Sequence, residues 1–154
     1  MIQEILAAYE ASSLGHAARD SAWLFPLANL VHFTGATLLV GSIAVFDILV
    51  LRRRYQTAAS AGHLAIPLAA AGLALQAASG LVMFSAEATT IARNPAFQLK
   101  MALSVVGLAN VAAFHAYHRV SALAEVGHRP AVRAGAAVSL GVWILVLLAG
   151  FSLD

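Results

Sequence analysis

Along the chain, four runs free of Asp, Glu, Lys and Arg, Ser21 to Phe46, Tyr55 to Ala86, Met101 to His118 and Ala134 to Leu153, are separated by short charged stretches. Each run can hold a membrane span of about 20 residues. Unpaired backbone groups are prohibitively costly in lipid, and the runs lack the roughly ten-residue alternation of barrel strands, so helices are predicted. Pro26 lies in the first turn of the first run, Arg52-Arg53-Arg54 stops it, Asn94-Pro95 precedes the third, and Gly127 to Pro130 precede the fourth. These signals place the spans at about residues 24–51, 64–86, 96–118 and 133–153.

Residues 1–20 read differently. Ile2, Ile5, Leu6 and Tyr9 recur at helical spacing, with Gln3, Glu4 and Glu10 on the remaining faces. The pattern predicts a short amphipathic helix on the membrane surface, the other reading being a frayed terminus. Ser12, Ser13 and Gly15 are expected to end it, Asp20 or Ser21 to cap the next helix, and Trp23 to sit among the headgroups. The predicted fold is therefore all-α: an amphipathic segment over residues 1–20 and an integral membrane four-helix bundle over 21–154.

Composition sharpens this. Of 154 residues, 61% are hydrophobic and 10% charged, against roughly 25% charged in an ordinary soluble domain. With a mean hydropathy of +0.84, the missing solvent is lipid. The absence of cysteine excludes disulfides, thiolate metal sites, iron–sulfur clusters and cysteine nucleophiles. The net charge of +2 is scattered over connections rather than gathered in a patch, so nucleic acid is not an expected partner.

Six of the nine basic residues, Arg52, Arg53, Arg54, Arg119, Arg129 and Arg133, flank the first and third connections, which marks that side as cytoplasmic. Both termini are then expected on the periplasmic face of a bacterial inner membrane. No basic stretch followed by an apolar core and cleavage site is evident, so the first span is expected to serve as its own insertion signal.

Small residues mark the packing faces. Ala65, Ala69, Gly72, Gln76, Ser79 and Met83 form one stripe on the second span, and Gly135, Ser139, Val142, Val146 and Ala149 form another on the fourth. Gln76 reads as an interhelical hydrogen-bonding residue rather than a catalytic one.

Four ionisable residues are harder to explain as packing: His32, Asp47, Lys100 and His115. His32 and Lys100 lie a similar distance inside the outer ends of spans one and three. Asp47 follows His32 by 15 residues and His115 follows Lys100 by 15, each about 22 Å deeper. Two polar layers are predicted, His32 with Lys100 and Asp47 with His115. A lane of small residues, Ser104, Gly107, Val111 and His118, is expected to join them and to leave room for a flat ligand or a water chain.

A histidine and a second nitrogen from a facing helix are the axial ligands a buried haem uses, and a desolvated lysine can serve as that second ligand. The competing reading has Lys100 snorkelling to the headgroups and His32 bonded to a carbonyl. Asp47 is read either as a proton-handling group or as a charge neutralised by the arginines that follow it. His16, His63, His118 and His128 read as solvated interfacial side chains, although His63 could join the inner layer.

The run His32-Phe33-Thr34-Gly35 leading to Asp47 and the arginines, the glycine-rich second span, and the third span opening Asn94-Pro95-Ala96-Phe97-Gln98-Leu99-Lys100 with Asn110 beyond resemble a superfamily of small bacterial four-helix membrane proteins. Besides families of unknown function, it includes the membrane domain of CopD-like copper-resistance proteins and the membrane-bound protoporphyrinogen oxidases. The resemblance covers roughly residues 21 to 120. In those oxidases a first-span His and a third-span Lys are associated with b-type haem, which implies haem b at His32 and Lys100, with their nitrogens axial to the iron. Asn110 would join Asp47 and His115 in the inner layer. The basic and aromatic residues around the oxidases' first-span motif are absent here, so oxidase activity is not carried over.

The leading expectation is a membrane redox protein that holds haem b and passes electrons to a partner, with quinone as a further cofactor. One alternative is a copper or small-solute transporter, although the three methionines Met1, Met83 and Met101 are not paired at helical spacing. Another is a non-catalytic subunit of a larger membrane complex or homo-oligomer. No H-E-x-x-H or nucleophile motif supports a hydrolase.

Overall fold

A computed structural model of the chain describes residues 1–117 and 120–151, and among these no strand occurs. The eight helices are α1 (Ile2–Glu10), α2 (Ser13–Asp20), α3 (Leu24–Leu51), α4 (Tyr55–Ala86), α5 (Ala88–Ile91), α6 (Pro95–Tyr117), α7 (Leu123–Val126) and α8 (Pro130–Phe151), with a 3-10 turn at Val120–Ala122 before α7. Helices α3, α4, α6 and α8 are each long and apolar enough to cross a membrane. His118, Arg119 and the last residues of the fourth predicted span lie outside the described residues.

Local chemistry sets the boundaries. Ser12 caps α2, its hydroxyl accepting from the Gly15 N–H at 3.2 Å. Ser21 accepts from the Trp23 and Leu24 N–H groups at the start of α3. Asn94 accepts from the Ala96 N–H, and Pro95 follows it at the first helical position, where its missing N–H costs nothing. The Arg52 to Arg54 turn reverses the chain between α3 and α4 with Arg53 in the left-handed region at φ 60°.

Helix α4 begins at Tyr55, the start of the charge-free run and well before the span placed at about residue 64. Its extra turns are held by packing: Ala58 is buried with Val50, Leu123, Val132 and Ala136 in a cluster that closes one end of the bundle. The stretch before α8, expected as a connection, supplies Leu123 and so forms part of this closure.

Helix α3 packs against α4 and α8, and α6 packs against α8. The closest approach is at Gly35 and Gly72, where a Cβ on Gly35 would lie 2.7 Å from the Gly72 carbonyl oxygen. Only glycine lets the two backbones meet at this distance. Helix α4 approaches α6 through side chains, including the stacked rings of Phe84 and Phe97, 5.3 Å apart.

The N-terminal segment forms two helices where one was expected, because Ser12 starts a helix instead of only ending one. Both are tied to the α4–α5 corner. The Tyr9 hydroxyl donates to the Leu81 carbonyl, Arg19 to the Ala86 carbonyl, and the Thr89 N–H and hydroxyl both donate to the Glu10 carboxylate, at 2.9 and 2.7 Å. These two bonds hold the Glu10 carboxyl below the usual carboxylate range. Gly15 makes the docking possible, since a Cβ there would collide with the carbonyl oxygens of Glu10 and Ser85. Arg52, Arg53, Arg54, Arg129 and Arg133 therefore lie at the end of the bundle opposite this N-terminal cap.

Candidate functional site

His32 and Lys100 meet inside the bundle. Lys100 on α6 directs Nζ to 3.2 Å from Nε2 of His32 on α3, and both side chains are half-buried. Lys100 thus points inward instead of snorkelling to the surface. Two glycines make room: a Cβ on Gly80 of α4 would lie 3.2 Å from His32 Cε1, and one on Gly150 of α8 would lie 3.5 Å from Lys100 Nζ.

The imidazole is oriented from its other side. Ser79 donates its single proton to the Leu75 carbonyl at 2.6 Å, so towards His32 Nδ1, 3.2 Å away, its oxygen can only accept. Nδ1 therefore carries the hydrogen, and Nε2 offers its lone pair to Lys100. The result is a chain from Lys100 through His32 and Ser79 to a backbone carbonyl, with one proton shared between two basic nitrogens. Gln76, expected to bond across helices through its side chain, meets α3 through its backbone, which lies against Gly35 and hydrogen-bonds His32.

The residues as they stand do not fit a haem between them. An iron bound axially by both nitrogens needs them about 4 Å apart, two bonds of roughly 2.0 Å with the ring plane in between. The pair is in direct hydrogen bond at 3.2 Å. The adjoining pocket, lined by Asn29, Gln76 and Met83 among others, holds about 80 Å³. That is less than the roughly 150 Å³ that admits a benzene ring.

The inner layer differs more from expectation. Asp47, Asn110 and His115 line one cavity, but they do not pair with each other. Asp47 is 4% exposed and is hydrogen-bonded by Ser139 of α8, while its Oδ2 has no partner. Among the described residues no arginine forms an ion pair with it, because Arg52 to Arg54 face outward. The His115 ring turns back to its own helix, with Nδ1 donating to the Val111 carbonyl at 2.9 Å, and the side chain is exposed. Asn110 donates to the Gly135 carbonyl at 3.2 Å, joining α6 to α8. His63 is exposed and stays outside this layer.

The expected lane between the layers is closed. Trp143 of α8, 2% exposed, lays its indole against Gly107, where a Cβ would lie 3.0 Å from Cε2 and Cζ2. Leu39, Trp143 and Val146, with Leu73 and Leu103 packed around them, form an apolar plug between the His32–Lys100 pair and the Asp47 cavity. Small residues on one helix announce only that something approaches closely, and here the occupant is an indole rather than water. Sequence reasoning passed over Trp143; its signal was the four-residue step from Ser139, which places both on one helix face.

Among the described residues no three His, Asp or Glu side chains converge as metal ligands. The chain matches no protein-family model, and no curated protein or solved structure is significantly similar to it.

Proposed function

We propose that this is a multi-pass protein of the bacterial inner membrane, crossing four times with both termini on the outer side, and that its working group is the Lys100–His32 pair acting as a proton-exchanging centre. Four apolar helices and the gathering of arginines at one end support the membrane placement. The observation that carries the functional reading is the 3.2 Å contact between two basic nitrogens from different helices inside the bundle. Ionisable groups placed in this way mark proton and ion pathways. The shared proton has two homes, the lysine amine and the imidazole, and the small pocket beside the pair gives it a polar neighbourhood of Asn29 and Gln76. The plug beneath confines exchange to the outer half of the bundle.

Electron transfer through haem b, with a redox partner in the membrane, is the second reading. The meeting of His32 and Lys100 and the resemblance of their segments to haem-associated motifs favour it; the spacing of their nitrogens and the size of the pocket oppose it. The visible spectrum of protein purified in mild detergent after haem-supplemented expression separates the two. The proton-exchange reading predicts a colourless protein. A Soret band with sharp reduced bands, lost in His32→Ala and Lys100→Ala at unchanged folding, would replace it with the haem reading.

A further inference from the structure

We propose that the cavity in the arginine-bearing half of the bundle binds a single-ring hydroxy-aromatic molecule drawn from the bilayer, a phenol or quinol headgroup. The source rests on the membrane placement above; the site itself does not. The cavity lies among α3, α4, α6 and α8 and encloses about 190 Å³. An apolar cavity of roughly 150 Å³ admits benzene, so this one has room for one substituted six-membered ring.

The walls are apolar, and Phe46 and Phe114 meet edge to face at 6.0 Å along one side. Two residues of the lining, Asp47 and Trp143, each carry a buried polar atom without a hydrogen-bond partner, Oδ2 and the indole N–H. Burying such groups unpaired is costly, and native proteins leave few of them without a reason. The carboxylate oxygen calls for a donor and the indole N–H for an acceptor. A hydroxyl is both. A hydroxylated ring therefore satisfies the polar groups and fills the apolar volume together, which benzene or an aliphatic chain does not.

Access is lateral. Ala70 of α4, and Leu108 and His115 of α6, line the cavity and are also exposed, which marks a mouth between the two helices that do not pack closely. In a bilayer this mouth faces acyl chains, the phase in which such ligands dissolve.

The test uses the full chain in mild detergent with Trp23→Phe, which leaves Trp143 as the sole indole. Phenol and 1,4-hydroquinone are titrated beside benzene and cyclohexanol, followed by calorimetry and by Trp143 emission. Saturable binding is expected, with phenol preferred over benzene by about tenfold or more, because a site built to bond a hydroxyl rejects the analogue without one. Asp47→Leu should reduce that preference towards one. Asp47→Asn should retain part of it, and Ala69→Phe, filling the cavity from α4, should abolish binding of every ring with the fold intact. Absence of saturable binding, equal affinity for phenol and benzene, or an undiminished preference in Asp47→Leu would each overturn the proposal. The binding is read in detergent, so its failure is distinct from a failure of the membrane orientation, which a labelling experiment reads.

Discussion

The indole of Trp143 occupies the space that Gly107 leaves open on the facing helix, within 3.0 Å of where a Cβ would stand. Together with Leu39 and Val146, the indole divides the bundle interior into two compartments, the Lys100–His32 pair on one side and the Asp47 cavity on the other. Gly107→Val should push the indole out of its seat, at a cost of about 1–3 kcal/mol for overpacking. Thermal unfolding in detergent measures the loss, and Trp143 emission in a Trp23→Phe background should shift as the ring leaves its apolar seat. Unchanged emission and stability would mean that the plug is not formed.

Gly35 and Gly72 set the distance between α3 and α4. A side chain at either position meets backbone, which cannot rotate away. Gly35→Val and Gly72→Val are expected to separate the helices and to destabilise by more than Gly41→Val, since a Cβ at Gly41 would have no neighbour within 4 Å. Comparison of the three unfolding midpoints checks the ordering.

The N-terminal cap should be acid-sensitive. The Glu10 carboxyl is held low by the Thr89 bonds, so the folded state binds its proton more weakly than the unfolded state, whose carboxyl titrates near roughly 4.3. Its contribution is fully present above that value and is lost as pH falls through the lower, folded-state value. Protection of the α1 and α2 amides, meaning exchange relative to the intrinsic rate at each pH, should therefore fall on acidification below about pH 4.3. In Glu10→Gln, protection should be lower at neutral pH and lose most of this pH dependence.

A chain without cysteine is suited to topology mapping. Single cysteines at the exposed positions Ala11 and Thr90 are predicted to react with a membrane-impermeant maleimide from outside the cell. Those at the exposed positions Gln56 and Glu125 should react only after the membrane is opened. The reverse pattern would invert the orientation.

The parts of this fold legible in the sequence are those fixed along one segment. The absence of charge marks the four long helices, Asn94-Pro95 marks a helix start, and the equal depth of His32 and Lys100 follows from rise per residue. What depends on a neighbouring helix was not legible. The spacing of Ser104 and Gly107 signals a gap but not that Trp143 fills it. Asp47 is followed by three arginines and yet turns to Ser139, because its position on α3 faces inward while theirs lie past the helix end. The start of α4 at Tyr55 depends on Leu123, which is distant in sequence.

The measurement closest to the central claim is ¹⁵N NMR of the histidine rings in detergent-purified protein, with His32 assigned through the signal lost in His32→Gln. The Lys100–His32–Ser79 chain predicts a neutral ring protonated at Nδ1, with Nε2 shifted as a hydrogen-bond acceptor. It also predicts that Lys100→Met changes both the Nε2 shift and the titration midpoint. A ring protonated at Nε2 when neutral, or a His32 titration identical with and without Lys100, would contradict it.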